Sequence, residues 1–160
     1  MTPHFSAPWS LRLTLVTASL LAALACAAVA AEGVGALALA ALVLATAAFS
    51  VRGYSVDGET LLVHRLGWTT RLDLSQLTRA EFSPGATAGS IRTFGNGGLF
   101  AFVGHFHSAA LGPYRAFATD GARTVVLDLG RGTGRVVVTP DRPAEFVAAL
   151  PPCVPGTGQG

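Results

Sequence analysis

Two long apolar runs open the chain, and a pattern of short alternating runs follows them. The first run covers residues 11–31 and the second covers residues 33–51, with the single charged residue Glu32 between them. A helix that crosses a bilayer needs about 20 apolar residues, so each run is long enough to span a membrane. The pattern predicts a transmembrane helical hairpin over residues 11–51, preceded by an N-terminal cytoplasmic tail over residues 1–10.

The basic residues around the two runs predict the orientation of the hairpin. Arg12 flanks the first run and Arg52 follows the second, whereas the turn at Glu32 carries no basic residue. Because basic residues concentrate on the cytoplasmic side, both termini are predicted to be cytoplasmic in a protein integral to the inner membrane. Three alternatives stay open: a signal peptide cleaved after the first run, a lipoprotein processing site before Cys26, and an exported domain tethered on the outer side.

From Arg52 onward, short alternating apolar runs separated by turn residues predict β-strands. Four predicted strands precede a long interruption and three follow it, and the pair Asp57-Gly58 predicts the turn of the first hairpin. A short helix containing Phe146 is predicted near the end, and residues 151–160 are predicted to be a disordered tail. The predicted strands cover residues 54–57, 60–66, 68–73, 77–83, 114–119, 124–129 and 135–139.

Four motifs, taken in order along the chain, resemble those of the bacterial PH domain proteins, small membrane proteins in which such a domain follows one or two spanning helices. The motifs are residues 53–61, 92–100, 112–120 and 138–141. The resemblance covers residues 52–150 and implies a membrane-anchored α+β or all-β fold. In that fold, a seven-stranded antiparallel barrel of the pleckstrin-homology type ends in a C-terminal helix.

The resemblance implies no common ligand or reaction. PH-like domains elsewhere often bind phosphoinositide headgroups through basic residues around their first hairpin. In this chain Asp57 and Glu59 stand at that turn, and their charges would repel a phosphate. Phosphoinositide binding at the first hairpin is therefore not expected.

The long interruption at residues 92–113 is the part of the domain most suited to a functional role, because long loops inside compact domains are often functional. One interpretation is a β-hairpin extension or a short helix whose aromatic residues cap the open end of the barrel. In another, the aromatic residues contact the bilayer or the hairpin helices, and a third leaves a groove for a partner or ligand. The candidate membrane or partner contact residues are Arg92, Phe94, Leu99, Phe100, Phe102, Phe106 and Arg115.

The residues suited to catalysis or metal binding are too few for an enzyme to be expected. His105 and His107 would project from one face of a strand, but two imidazoles do not make a zinc site, and there is no Gly-x-Ser-x-Gly motif. A net charge of +2 without a basic stripe does not indicate a nucleic-acid partner. We expect no catalytic residues, metal or cofactor, and keep as an alternative a metal- or small-molecule-dependent enzyme built on His105 and His107.

The sequence therefore predicts a non-catalytic integral membrane protein that presents a PH-like domain at the cytoplasmic membrane surface. The expected partners are membrane lipid and another membrane protein. The first predicted strand begins almost where the second helix ends, so the linker is too short for the domain to leave the bilayer surface.

Overall fold

The chain begins with two helices and continues with two β-sheets in the computed structural model, which describes residues 3–30, 33–97, 100–130 and 134–154. Helix α1 covers Leu11–Ala30 and helix α2 covers Val34–Ala48, and the two are in contact along the chain. The second helix is shorter than the predicted run because Phe49 caps it and Val51 begins a strand. Val51 is completely buried in the domain, and this burial outweighs continuation of the helix. The predicted turn at Glu32 lies outside the described residues.

Ten strands are present in the described part of the chain, and they form two sheets. The strands are β1 (His4–Ser6), β2 (Val51–Asp57), β3 (Thr60–Arg65), β4 (Thr69–Asp73), β5 (Arg79–Phe82), β6 (Ile91–Gly97), β7 (Phe102–Ser108), β8 (Gly112–Ala118), β9 (Val125–Asp128) and β10 (Arg135–Val138). The first sheet has the order β1-β2-β3-β4, and the second has the order β5-β9-β10-β8-β7-β6.

The prediction of a closed, seven-stranded antiparallel barrel is wrong in its strand number, its closure and one strand direction. Among the described residues the two sheets do not pair with each other, so β1, β4, β5 and β6 remain edge strands. Strands β8 and β10 run parallel, with Val137 opposite Ala116. The reason is the strand order, in which β10 lies between β9 and β8. Strand β10 pairs antiparallel with β9, which precedes it along the chain, and therefore runs in the same direction as β8 on its other side.

The first strand comes from the segment that the sequence predicted as an N-terminal tail. Strand β1 pairs antiparallel with β2, and Phe5 lies opposite Tyr54. The Phe5 side chain is buried and packs edge-on against Phe146, with 5.2 Å between the ring centroids. Because β1 precedes α1 and β2 follows α2, the helical hairpin is inserted between two neighbouring strands of one sheet. Both ends of the hairpin are therefore held on the same side of the domain.

The main core lies between the two sheets and includes Phe146 of the terminal helix α3 (Pro143–Ala148). The hydroxyl of Tyr54 donates a hydrogen bond to the carbonyl oxygen of Phe117 at 2.6 Å and accepts one from the N–H of Thr139 at 3.2 Å. Burial raises the pKa of Tyr54 to about 12, so the hydroxyl stays protonated and links the two sheets.

The C-terminal segment continues along the domain after α3. The N–H of Val154 donates a hydrogen bond to the carbonyl oxygen of Leu77 at 2.7 Å. The first part of the tail predicted as disordered is thus bound to the domain by a backbone hydrogen bond. Residues 155–160 lie outside the described residues.

Residues 92–113 lie mainly in the hairpin of β6 and β7, which extends the second sheet. Of the interpretations above, the structure contains the β-hairpin extension, although it caps no barrel, and also a contact of Phe100 with helix α1. A second apolar cluster, which includes Phe106, Tyr114 and Val137, lies on the face of this sheet that points away from the main core. Residues 83–90 lead from the edge strand β5 to the edge strand β6, and the Tyr114 hydroxyl donates to the hydroxyl oxygen of Ser90 at 2.7 Å. This connection crosses the outer face beside the cluster.

Candidate membrane-facing site

The surfaces of α1 and α2 are apolar and exposed on most sides. In α1 only Leu13 and Thr17 are buried, and no residue of α2 is buried. Val29 is 88% exposed and Leu37 is 72% exposed, although both side chains are aliphatic. Among the described helices, α1 alone is long and apolar enough to cross a membrane, and 11% of that stretch is buried. A helix that is apolar on all sides requires a second apolar environment, which the domain does not provide.

The tip of the β6–β7 hairpin packs against the first two turns of α1. The N–H of Phe100 donates a hydrogen bond to the hydroxyl oxygen of Thr17 at 3.3 Å. The Phe100 ring lies edge-on to the ring of Trp9, with 6.0 Å between the centroids. Phe100 has φ of 63°, a left-handed conformation that costs about 1–2 kcal/mol for a residue with a Cβ. The contacts with Thr17 and Trp9 hold it in that conformation.

The end of α2 packs against the turn between β3 and β4. The rings of Phe49 and Trp68 meet edge-on at 4.7 Å between centroids, and the N–H of Gly67 donates to the carbonyl oxygen of Ala48 at 3.4 Å. Phe49 and Trp68 are each 43% exposed. We refer to the four aromatic residues at the base of the hairpin, Trp9, Phe49, Trp68 and Phe100, as the aromatic belt. Aromatic side chains, Trp above all, are concentrated where a membrane meets water.

Two arginines lie beside the aromatic belt. The Cζ atom of Arg65 is 5.3 Å from the Trp68 ring centroid and 5.1 Å from the Phe117 ring centroid. The Cζ atom of Arg115 is 4.9 Å from the same Phe117 centroid. Strand β3 supplies Arg65 and strand β8 supplies Arg115, so one guanidinium from each sheet lies over one buried ring.

Two features of its surroundings act against the positive charge of Arg65, in spite of the cation–π contacts. Burial, and after it the positive charge of Arg115, lowers the pKa of Arg65. Its Nε atom is buried and has no hydrogen-bond partner among the described residues. Neither Arg65 nor Arg115 forms an ion pair within the part of the chain that the structure describes. The two positive charges therefore lie close together without a counter-charge from these residues.

The other predicted contact residues lie elsewhere. Arg92 and Phe94 are exposed on the edge strand β6, where Phe94 is 77% exposed. Phe102 and Phe106 belong to the second apolar cluster, and Phe106 is buried and stacks on Tyr114 at 5.8 Å between centroids. Leu99 lies outside the described residues. Of the predicted set, the structure thus places Phe100 in the aromatic belt and Arg115 beside it.

The histidine pair of the predicted alternative is exposed on β7. His105 and His107 occupy alternate positions of that strand, so they share a face as the sequence predicted. The described residues contain no group of three His, Cys, Asp or Glu side chains arranged to hold a metal ion. Both cysteines, Cys26 and Cys153, are unpaired and exposed.

An open groove of about 490 Å³ lies beside the first hairpin turn. Gly58 has φ of 56°, and Asp57 pairs with Thr60, which confirms the predicted turn. Asp57 and Glu59 line the groove, and their negative charges make it a poor place for a phosphate. Strand β2 runs from Val51 at the helices to Asp57, a distance of about 20 Å. The first sheet thus carries carboxylates at its far end and Arg65 at its helix end.

Four residues of this site were not identified from the sequence: Trp9, Phe49, Arg65 and Trp68. Trp9 stands just before the first apolar run and Phe49 near the end of the second, and aromatic residues at such positions are a known signal of a membrane interface. Trp68 is 17 residues beyond the second run and gives no such signal. Arg65 gives no comparable signal, because its importance depends on Phe117 and Arg115 of the other sheet.

Comparison with known protein families supports the resemblance found in the motifs. A family model described as the bacterial PH domain matches residues 52–152. No curated protein and no solved structure matches the chain. Strand β1 and the two helices lie before the matched residues, so the aromatic belt joins the matched domain to the segment that precedes it.

Proposed function

Because the chain belongs to the bacterial PH domain family, we propose that it is a non-catalytic integral membrane protein whose PH-like domain lies on the cytoplasmic surface of the inner membrane. The domain binds membrane lipid or another membrane protein there. The observation that carries this proposal is the insertion of an exposed, apolar helical hairpin between β1 and β2, with the aromatic belt around its base.

The lengths of the helices fit a membrane hairpin if the bilayer adapts to α2. Helix α1 has 20 residues, or about 30 Å, which matches the hydrocarbon thickness. Helix α2 has 15 residues, or about 22 Å. Leu66 and Trp68 are exposed just beyond its end and lengthen the apolar surface on that side. Local thinning of the bilayer accounts for the rest, at a cost of fractions of a kcal/mol per Å.

The position of β1 favours a retained anchor over a cleaved signal peptide. Cleavage after α1 would remove Phe5 from the core and leave β2 as an exposed edge strand. Edge strands with free backbone groups promote aggregation. A chain that keeps α1 also keeps Phe5 in the core and the edge of β2 covered by β1.

The same strand pairing supports a common side for both termini. With β1 beside β2, the segments before α1 and after α2 lie on one side of the hairpin. Arg12 and Arg52 are both on that side and both exposed. Because basic residues favour the cytoplasmic side, we assign the domain and both termini to the cytoplasm.

The two cysteines allow this arrangement to be tested in intact membranes. Cys26 lies in α1 and Cys153 follows α3. In inverted inner-membrane vesicles, a membrane-impermeant maleimide should label Cys153 at once and Cys26 only after detergent is added. In right-side-out vesicles neither should react. The variants Cys26→Ser and Cys153→Ser assign each signal.

Two results would contradict the proposal. Labelling of Cys26 without detergent would show that α1 is exposed to water. Labelling of Cys153 in right-side-out vesicles would place the domain on the outer side, as in the exported alternative.

A further inference from the structure

We infer that Arg65 and Arg115 together bind the phosphate of an anionic phospholipid headgroup at the base of the helical hairpin. This inference rests on the proposed position of the domain at the membrane. It adds the ligand class and the residues that recognise it.

The two guanidiniums contact the same buried ring, which limits the distance between them. Each Cζ atom lies close to 5 Å from the ring centroid of Phe117, so the two are at most about 10 Å apart. Guanidinium groups present planar arrays of donors that match phosphate oxygens in pairs, which lysine does not. Each side chain makes a cation–π contact with the buried Phe117 ring.

In the free protein, the arginine pair has no counter-charge among the described residues. The Arg65 Nε atom is a buried donor without an acceptor among the described residues, and an unpaired buried donor destabilises a folded protein. Burial, and after it the charge of Arg115, disfavours the charged form of Arg65 and lowers its pKa. A phosphate oxyanion at the accessible edge of the two guanidiniums supplies the counter-charge that the described residues do not.

The surroundings indicate that a lipid supplies the phosphate. Trp68 and Phe49 lie against Arg65, at 5.3 and 5.9 Å from its Cζ atom, and both border the end of α2. A headgroup bound there would leave its acyl chains beside the exposed apolar side chains of that helix. The carboxylates of Asp57 and Glu59 lie at the opposite end of the sheet, away from the negative membrane surface. The charges of the domain therefore favour this end as the one that faces anionic lipid.

Native mass spectrometry of the full chain in a non-ionic detergent tests the site. The chain is titrated with phosphatidylglycerol, with a neutral glycolipid that lacks phosphate, and with inorganic phosphate. We expect one phosphatidylglycerol to be retained far more strongly than the glycolipid. Replacement of either arginine in Arg65→Gln or Arg115→Gln should weaken this binding at least about tenfold, and the double variant should weaken it further.

A matched control distinguishes binding at this site from a general effect of net charge. Arg71 is exposed on β4 and has no ion pair within the described residues, so Arg71→Gln removes the same charge elsewhere and should leave binding unchanged. Lysine at both positions, Arg65→Lys with Arg115→Lys, keeps the charge but loses the paired donors and should bind at an intermediate level. If the glutamine variants do not fold, the double lysine variant tests the site in their place.

Three results would overturn the inference. They are equal retention of phosphatidylglycerol and glycolipid by the unchanged chain, unchanged binding in the folded double variant, and binding of inorganic phosphate as strong as that of the lipid. The last result would assign the site to a free phosphate instead. In all three cases the maleimide labelling of Cys26 and Cys153 still decides the membrane position independently.

Discussion

A hydrogen-bonded chain of side chains crosses the outer face of the first sheet from His4 to His64. The Ser55 Oγ atom lies 3.2 Å from Nδ1 of His4 and 2.8 Å from Nε2 of His64, and the two imidazole centroids are 5.6 Å apart. Gly53 makes room for this arrangement, since a Cβ atom there would lie 2.8 Å from Cε1 of His4. Burial, and after it the charge of His4, lowers the pKa of His64.

We expect the domain to lose stability as the pH falls below 6.5. The pKa of His64 in the folded chain is below its usual value of 6.5, so the unfolded chain binds more protons. The contribution of neutral His64 to the free energy of unfolding is therefore fully present above pH 6.5 and is lost as the pH falls below it. Chemical denaturation of the full chain at a series of pH values measures this loss.

Two histidine variants test whether His64 is responsible for the loss of stability. His64→Gln should flatten the dependence of the unfolding free energy on pH. His107→Gln removes an exposed histidine from β7 and should leave the dependence as it is. A slope that survives in His64→Gln would show that another group is responsible.

At the scale of elements, β1 has an effect on the fold out of proportion to its length. It covers the edge of β2 and inserts Phe5 beneath Phe146. We expect Phe5→Ala to lower the free energy of unfolding by about 3–5 kcal/mol, since it empties a buried aromatic position. Denaturant unfolding followed by near-ultraviolet circular dichroism measures the loss.

The matched control for β1 is Phe94→Ala on β6. Phe94 is 77% exposed, so its truncation should change the unfolding free energy by about 0.5 kcal/mol or less. If Phe5→Ala were as mild as Phe94→Ala, β1 would not be an integral part of the first sheet.

The elements also show which local patterns are sufficient for prediction. Alternation in β3, β4 and β9 and the turn at Gly58 are visible in the sequence, because one face of each strand packs on the core. Strands β6 and β7 were not predicted individually, since glycines interrupt the alternation, at positions 95 and 97 in β6 and at position 104 in β7. Strand β1 has only three residues, too few for a periodic signal.

At the scale of the whole molecule, the proposed membrane position predicts the depth of the aromatic belt in a bilayer. The chain has 2 tryptophans, and both, Trp9 and Trp68, belong to the belt. We expect the fluorescence of each to be quenched most strongly by lipids brominated close to the headgroup. The single-tryptophan variants Trp9→Phe and Trp68→Phe report the two positions separately in vesicles.

Equal depths for the two tryptophans are part of this prediction, because both lie at the base of the hairpin. Stronger quenching of either residue by bromines near the bilayer centre would place the domain differently. Quenching by aqueous iodide, without quenching by the brominated lipids, would show that the domain does not lie at the membrane surface.

By itself, the sequence determined the apolar helices, the strand-rich domain, its family and the first hairpin turn. These features depend on the identity and spacing of residues that are close together along the chain. Of the candidate site, the sequence provided Phe100 and Arg115, which lie in or beside the one segment that is unusual in length and composition.

Only the tertiary structure decided that β1 completes the first sheet, that the sheets stay separate, and that Arg65 meets Arg115 over Phe117. These features depend on contacts between residues that are far apart in sequence. The packing of two sheets against each other brings such residues together, and no local pattern of apolar and polar positions records which ones will meet.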